Sequence, residues 1–301
     1  MRVFVTGASG FIGAHLVPTL LDAGCEVAIL AVHNNTLWRL SGVLTQLHVI
    51  WGDLSSVDEF ALSLADFGPD ACIHLAWYVE PGKYLDSPLN IDWMMNSLNL
   101  LDLLIQIGCR QVVMTGTCAE YDADVGYLKE TSPTKPSTLY AAAKLSLSIL
   151  GQQMTKNTGT RFAWARLFYL YGSKEDDRRV VPALIKSLLR NEPFDVSTGE
   201  QIRDYMHVED VASALWFMLQ NQLSGVFNIS SGVPVTVRAL MEMVGDILGK
   251  RNLIQFSALP QRQWEPRFIC GDNRKLRQLG WQLQHNLHDG LMETVKWWKN
   301  T

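Results

Sequence analysis

Short, uninterrupted apolar runs alternate along the first half of the chain with stretches whose apolar residues recur at helical spacing. The runs read RVFVTG, CEVAIL, LHVIWGD, ACIHLAW and RQVVMTG. The stretches HLVPTLLDAG, SVDEFALSLADFG and NIDWMMNSLNLLDLLIQIG each end on glycine, which commonly terminates a helix. A strand buried on both faces is apolar throughout. The alternation therefore predicts an α/β fold, with a parallel sheet between two layers of helices.

A glycine-rich turn lies between the first predicted strand and the first predicted helix. Gly7 permits the tight turn, Gly10 lets the backbone approach a pyrophosphate, and Gly13 lets the helix pack closely on the strand. The start of the helix offers backbone N–H groups to phosphate. We therefore predict a Rossmann-type doubly wound sheet whose dinucleotide-binding loop also includes Phe11 and Ile12.

The end of the second strand bears on the choice of cofactor. An acidic residue at this place usually binds the ribose hydroxyls of NAD, but here it is Ala31. A 2′-phosphate would meet no repulsion, and His33, Asn34, Asn35 or Arg39 could donate hydrogen bonds to it. This favours NADP(H); binding of NAD(H) with one contact fewer remains the alternative.

Two later strand ends supply further predicted cofactor contacts. Asp53 and Leu54 follow the third strand in GDL, and Leu75 and Ala76 follow the fourth in HLAW. Asp53 is placed to meet the adenine amino group, although capping of its own loop would also explain it.

After about residue 170 the alternation of strands and helices loosens. Helix-like segments there are separated by short strand-like pieces and by loops that contain proline. We predict a dinucleotide-binding Rossmann domain over residues 1–170 and a smaller C-terminal α/β lobe over 171–301, mainly substrate-binding. Residues of about 204–230 are expected to return to the first domain.

The segment LYAAAKLSL carries the candidate chemistry. Tyr140 and Lys144 are four residues apart, so they share one face of a helix. Tyrosine has a reference pKa of about 10, and a nearby ammonium and an oxidised nicotinamide would both favour its phenolate. Thr117, just beyond a strand, could bind a substrate oxygen beside Tyr140.

Together these motifs resemble the extended short-chain dehydrogenases/reductases, the NAD-dependent epimerase/dehydratase group that acts on nucleotide sugars. The resemblance also rests on the Thr117 and Tyr121 pair in TGTCAEY and on RLFYLYG, GEQIRDYMHVEDVA and LGW. It implies that Tyr140 passes a proton at the sugar oxygen, that Thr117 holds this oxygen, and that Lys144 binds the nicotinamide ribose. Tyr140 and Lys144 are thereby also expected cofactor contacts.

The resemblance further implies a nucleotide-diphosphate sugar as substrate. Arg203 matches the arginine that holds the diphosphate, and Arg267 matches less securely a second phosphate or uridine-type contact, with a surface salt bridge as its alternative. His207 and Asp210 are expected to stabilise a helix start.

Aromatic residues are the other predicted substrate contacts. Trp77, Tyr78 and Tyr84 follow the fourth strand, where they could stack on sugar or base or else pack between the lobes. Tyr169 stands where many relatives have asparagine, so the sugar contacts there are expected to differ.

Departures from the family pattern bear on the reaction. Cys118 and Ala119 occupy the places of the Asp-Glu pair of 4,6-dehydratases, and Glu120, one place later, is expected to point elsewhere, to solvent or to hydrogen-bonding support. Dehydration is disfavoured. We expect a 4-ketoreductase that transfers hydride from NAD(P)H to C4 of a 4-keto-6-deoxyhexose nucleotide. The alternatives are a 4-epimerase with tightly bound NAD and, less favoured, a non-catalytic dinucleotide sensor.

Composition narrows the range of partners and binding sites that the protein is expected to have. The 26 Lys and Arg against 30 Asp and Glu give a net charge of −4 without a basic run, so no nucleic-acid partner is expected. The five cysteines show no C-x-x-C spacing, which predicts neither a disulfide framework nor a metal site.

No signal-peptide or membrane-spanning pattern occurs, so a cytoplasmic enzyme is expected. The apolar helices IDWMMNSLNLLDLLIQI and LYAAAKLSLSILGQQM predict a homodimer.

Overall fold

A computed structural model describes residues 1–260 and 265–301. Its strands in these ranges are β1 Arg2–Thr6, β2 Glu26–Ala31, β3 Leu47–Trp51, β4 Ala71–His74, β5 Gln111–Thr117, β6 Tyr127–Leu128, β7 Arg161–Leu167, β8 Tyr169–Tyr171, β9 Phe194–Asp195, β10 Ile202–His207, β11 Gly225–Ile229, β12 Pro234–Thr236, β13 Ile254–Gln255 and β14 Cys270–Gly271. Its helices there are α1 Gly13–Asp22, α2 Val57–Phe67, α3 Leu89–Gln106, α4 Leu139–Met154, α5 Val180–Leu189, α6 Val208–Gln220, α7 Val237–Leu248, α8 Arg274–Gln278 and α9 Leu287–Lys299.

The central sheet confirms the predicted α/β fold. Its seven strands run in the order β11-β7-β5-β4-β1-β2-β3. The pairs from β7 through β3 are all parallel, with Val3 opposite both Val27 and Ala71. The strand order reverses at β1, because β2 lies on one side of it and β4 on the other. Such a reversal is where doubly wound sheets bind their ligands.

Four of the five apolar runs form largely buried strands, β1, β2, β4 and β5, because helices cover the sheet. The prediction of full burial is wrong for β3, which lies at the edge of the sheet with only Ile50 buried. Every residue of β4 and β5 is buried. One face packs against α2, α3 and α4 through residues such as Phe60, Leu101 and Leu147, which are fully buried. α2 ends as predicted at Gly68, whose left-handed conformation lets its N–H bond the Leu64 carbonyl.

The chain divides into two compact units. The first comprises Met1–Glu120, Thr134–Leu167 and Val211–Phe227, and the second comprises Tyr121–Pro133, Phe168–Asp210 and Asn228–Thr301. A separate apolar core joins α5, α7 and α9 in the second unit, with Leu184, Leu240 and Leu291 fully buried. The functional division into cofactor and substrate domains stays a prediction.

No helix in the described ranges is both long enough and apolar enough to cross a membrane. All five cysteines are buried.

Candidate active site

The glycine-rich turn has the backbone shape that a pyrophosphate cradle needs. Gly7 has φ of +70°, and a Cβ on it would lie 2.6 Å from the backbone nitrogen of Ala76. A Cβ on Gly13 would lie 2.5 Å from Cα of Ala8, so α1 can begin against the turn only with glycine there. The turn closes with a bond from the N–H of Gly10 to the carbonyl of Gly7, 3.0 Å long. These residues therefore fit a bound dinucleotide.

The loop after β2 reaches back to this turn. β2 ends on Ala31, which is buried. Beyond it, Nδ2 of Asn35 donates to Oγ of Ser9 over 2.8 Å, and Nη1 of Arg39 donates to the Ser9 carbonyl over 3.4 Å. Two polar side chains from the second strand's loop therefore lie beside the glycine-rich turn, where the sequence predicted the 2′-phosphate contacts.

The other predicted cofactor residues of this region have different surroundings. His33 stacks on Trp51 with ring centroids 5.4 Å apart, and Asn34 is exposed. Oδ1 of Asp53 accepts from the backbone and hydroxyl of Ser55, at 2.8 and 2.6 Å, which lowers the pKa of Asp53. Asp53 therefore caps its own loop, and its contact with adenine stays a prediction.

Backbone bonds from β1 position the strand end after β4. The N–H of Leu75 donates to the carbonyl of Thr6 over 3.1 Å, and that of Ala76 approaches the Thr6 hydroxyl at 3.4 Å. Leu54, after β3, is buried. These contacts fix the carboxyl edge of the sheet beside the glycine-rich turn.

The three predicted catalytic residues lie close together. Thr138 caps α4 by accepting from the N–H of Ala141, so Tyr140 lies in the first turn of the helix. The Tyr140 side chain hydrogen-bonds that of Thr117, the last residue of β5. One turn further along α4, Nζ of Lys144 donates to the carbonyl of Thr115 over 2.8 Å. The sheet end and one helix face therefore bring these groups to one place.

Burial dominates the electrostatics of this group. It lowers the pKa of the buried Lys144 ammonium to about 7 against the opposing attraction of Glu120. It also raises the pKa of Tyr140, an effect that Tyr84 adds to and the bond from Thr117 opposes. The Tyr140 hydroxyl is therefore un-ionised near neutral pH, whereas Lys144 is close to the midpoint of its own titration.

Glu120 supports the site from within the protein. It is fully buried, and its carboxylate accepts from Nε of Arg166 over 2.7 Å, from Nε1 of Trp164 over 3.0 Å and from the N–H of Thr117 over 2.8 Å. These three bonds hold Glu120 between the end of β5 and the neighbouring strand β7. The predicted hydrogen-bonding support is confirmed.

A buried histidine adds support that the sequence analysis did not assign. Nδ1 of His74 pairs with the hydroxyl of Thr6 at 2.7 Å, and its Nε2 pairs with the hydroxyl of Ser97 at 2.8 Å. Burial and the Lys144 charge lower the pKa of His74 to about 3, so its ring is neutral. It ties β1, β4 and α3 together beneath the carboxyl edge. The histidine in HLAW was the available signal, but its partners come from distant segments.

The aromatic residues after β4 surround Tyr140 and Lys144. Trp77 is buried, donates from Nε1 to Oδ1 of Asn90 over 2.9 Å, and has Nζ of Lys144 3.8 Å from its ring centroid. Tyr84 lies edge-on to Tyr140 with centroids 4.9 Å apart. The Trp77 ring therefore packs the site from inside, and its predicted contact with substrate stays a prediction. Tyr78 is partly buried and bonds Glu80 at 3.2 Å.

The second unit holds the remaining predicted substrate residues. Arg203 is buried, and its Nη2 pairs with Oε1 of Glu265 at 2.9 Å. Its guanidinium carbon lies 5.2 Å from the ring centroid of Tyr169. Arg267 has an exposed side chain, while its carbonyl accepts from the N–H of Ile202 over 2.8 Å. Arg203 and Tyr169 are thus adjacent, and Arg267 takes part through its backbone.

Comparison with known proteins identifies the family of the chain. The NAD dependent epimerase/dehydratase family matches residues 3–230. The chain belongs to this family. It is therefore an enzyme of the nucleotide-sugar epimerase/dehydratase type that uses a nicotinamide dinucleotide.

Individual members of the NAD dependent epimerase/dehydratase family match nearly end to end. A UDP-glucose 4-epimerase of Corynebacterium glutamicum is 28% identical, over 95% of this chain and 92% of its own. A dTDP-6-deoxy-L-talose 4-dehydrogenase (NAD(+)) of Aggregatibacter actinomycetemcomitans is 24% identical, and the match covers 90% of this chain and 99% of that protein. The structure of a UDP-N-acetylglucosamine 4-epimerase from Methanobrevibacter ruminantium, in complex with UDP-N-acetylmuramic acid, is 26% identical with a TM-score of 0.90, over 99% and 98%.

The burial of Lys144 in this family member predicts a pH-dependent stability. Its pKa is about 7 in the folded chain, whereas an unfolded lysine titrates near about 10.4. Between these values the unfolded chain binds more protons, so the free energy of unfolding from Lys144 rises with pH, by at most about 1.4 kcal/mol per pH unit. Lys144→Met should flatten the profile between about pH 7.5 and 9.5, measured by urea unfolding. Lys156→Met is the control, because Lys156 is exposed and lies just after the end of α4. Parallel profiles for the parent and Lys144→Met would contradict the burial argument.

Proposed function

We propose that the protein is a nucleoside-diphosphate-sugar 4-epimerase. The observation that carries the proposal is the Thr117, Tyr140 and Lys144 group, in which Tyr140 is the one proton-transferring residue, while the nearby acid, Glu120, is fully engaged with Arg166. Reversible oxidation at one carbon needs a single acid–base residue, whereas dehydration needs a further acid. Relatives named 4-epimerases that match over nearly the whole chain support this choice above the ketoreductase that the sequence analysis favoured.

Each residue then has a defined task. A bound nicotinamide would supply a reversible hydride acceptor for the sugar carbon. Tyr140 takes the proton of the C4 hydroxyl as this carbon is oxidised and returns it when the carbon is reduced. Thr117 holds the same oxygen by a hydrogen bond. Lys144, as an ammonium, stabilises the phenolate form of Tyr140; each unit by which a pKa falls requires about 1.4 kcal/mol of such stabilisation.

The diphosphate of the substrate is assigned to Arg203. Its guanidinium can form charge-assisted bidentate bonds with phosphate, and it is already held rigidly by its own bond to the Ile202 carbonyl, 2.8 Å long. Glu265 bonds one side of the fork in the same way that a phosphate oxygen would. A diphosphate and Glu265 would therefore compete for this side of Arg203.

A 4-ketoreductase is the second candidate, and a specific observation favours it. Ala31 ends β2 without a carboxylate, and Asn35 and Arg39 lie at the glycine-rich turn. This arrangement suits NADPH, which a reductase exchanges at every turnover. A relative named dTDP-6-deoxy-L-talose 4-dehydrogenase (NAD(+)) supports redox chemistry at the 4-position, although its name gives NAD and not NADP as the cofactor.

Product analysis separates the candidate functions. Purified protein is incubated with UDP-, dTDP-, CDP- and GDP-hexoses, and with 4-keto-6-deoxyhexose nucleotides plus reduced cofactor. Formation of the C4 epimer without net cofactor consumption supports the epimerase. Stoichiometric oxidation of reduced cofactor supports the reductase, and inactivity with every substrate favours a dinucleotide sensor.

Removal of the Tyr140 hydroxyl tests the shared chemistry. Tyr140→Phe should reduce kcat by about a hundredfold or more, because the transferable proton is lost, while cofactor binding persists. Tyr127→Phe, at an exposed tyrosine of β6, should leave turnover unchanged. Turnover of Tyr140→Phe within about threefold of the parent would show that its role is misassigned.

A charge change at the end of β2 tests the cofactor assignment. If Ala31 leaves room for a 2′-phosphate, NADPH binds more tightly than NADH, and Ala31→Asp should reverse the order. Each tenfold change in Kd corresponds to about 1.4 kcal/mol. Arg39→Ala should weaken NADPH binding alone; an equal loss for both cofactors would indicate a role in folding. A clear preference of the parent for NADH would overturn the phosphate argument and favour the epimerase.

A homodimer through α3 and α4 completes the proposal. These helices pack together and expose apolar side chains, namely Leu89, Ile91, Met95, Ile149 and Leu150. Light scattering at micromolar concentration should give twice the chain mass, and Leu150→Glu should give the mass of one chain because it places a charge in the apolar contact. A monomeric parent protein would contradict the proposal.

A further inference from the structure

Two histidines and two glutamates of the second unit converge outside the predicted catalytic and cofactor residues. His207 ends β10, Glu209 lies in the first turn of α6, His285 precedes α9, and Glu293 lies within α9. Each offers one ligand atom, and the four atoms lie within 4.8 Å of one another. We propose that these four residues form a structural binding site for a divalent transition-metal ion, with zinc as the best-fitting ion.

The distances suit tetrahedral coordination. Nε2 of His285 lies 3.7 Å from Oε2 of Glu209 and 3.5 Å from Oε2 of Glu293. Ligands bound about 2.0–2.1 Å from a tetrahedral zinc are separated by about 3.4 Å. Small side-chain rotations therefore bring these atoms to bonding distance.

His285 is oriented as metal-bound histidines are. Its Nδ1 lies 3.1 Å from Oδ2 of Asp210, which is fully buried. The same carboxylate accepts from the backbone N–H groups of Gln284 and His285 over 2.8 and 3.1 Å, so Asp210 is fixed in position. When Nδ1 donates to this carboxylate, the lone pair of Nε2 faces Glu209 and Glu293. A carboxylate that holds the distal nitrogen of a ligand histidine is a frequent feature of metal sites.

A metal ion balances the charges in this cluster. When His285 is neutral, this lone pair is repelled by the two carboxylates, and a cation bound between the three groups would turn the repulsion into attraction. Two carboxylates neutralise a divalent ion, and two neutral imidazoles complete a set of nitrogen and oxygen ligands that suits zinc. The rings of His207 and His285 have centroids 4.3 Å apart, and two protonated rings at this distance would repel each other.

Packing holds the two halves of the site together. The ring of Tyr171 meets that of His207 edge-on, 5.4 Å between centroids. Gly290 leaves room for this pair, since a Cβ there would contact the Tyr171 hydroxyl and lie 3.3 Å from Cδ2 of His207. Leu291 and Val295 anchor α9 in the core of the unit. A bound metal would therefore connect α9 to the β10–α6 junction, and the half-exposed glutamates leave it open to solvent.

The test measures metal binding directly. Tag-free protein is treated with EDTA, exchanged into metal-free buffer and titrated with Zn²⁺. We expect one zinc ion per chain by mass spectrometry of the metal content, and a rise in Tm of at least about 2 °C. Co²⁺ should give the visible spectrum of a tetrahedral site with nitrogen and oxygen ligands. A thiolate spectrum would instead place the ion on a cysteine and overturn the proposal.

Matched variants assign the ligands. His285→Gln should abolish the Tm shift and weaken zinc binding at least tenfold, and Glu293→Gln should weaken it in the same direction. His288→Gln removes a neighbouring exposed histidine that pairs with Asp289, and it should bind zinc like the parent. Equal zinc affinities in the parent, His285→Gln and His288→Gln would overturn the proposal, as would the absence of bound zinc in a folded parent protein.

Discussion

The buried ion pair between Glu120 and Arg166 is the contact on which the candidate active site depends. Both side chains are removed from solvent, so their charges lose hydration that only close, well-oriented bonds can offset. Glu120 meets this requirement with bonds from Arg166, Trp164 and the N–H of Thr117. Removal of one partner would leave the other charged and buried, at a cost of about 3–5 kcal/mol. The end of β5, and with it Thr117, is therefore held in one position.

These bonds fix the orientation of Glu120 beside the candidate active site. Because the Glu120 carboxylate is bonded to protein groups, the proposed function assigns proton exchange to Tyr140. Lys144, buried against Trp77 and bonded to the Thr115 carbonyl, supplies a charge whose strength depends on pH near neutrality.

The proposed metal site would give the second unit a constraint of a different kind. The core of α5, α7 and α9 consists of apolar side chains that pack without strong directionality. A metal ion bound by His207 and His285 would add directional bonds to that packing. They would stabilise the folded unit in proportion to the concentration of free ion.

The sequence by itself determined the parallel sheet, the glycine-rich turn and the Tyr140–Lys144 pair, because each follows from local periodicity or from spacing along one element. Only the tertiary structure decided the partners of the polar groups. His74 meets Thr6 and Ser97, Trp77 packs against Lys144, and His207 approaches His285, all across long stretches of chain. Such contacts carry no local periodic signal, since they depend on how buried elements are brought together and on which hydrogen bonds can offset the loss of water.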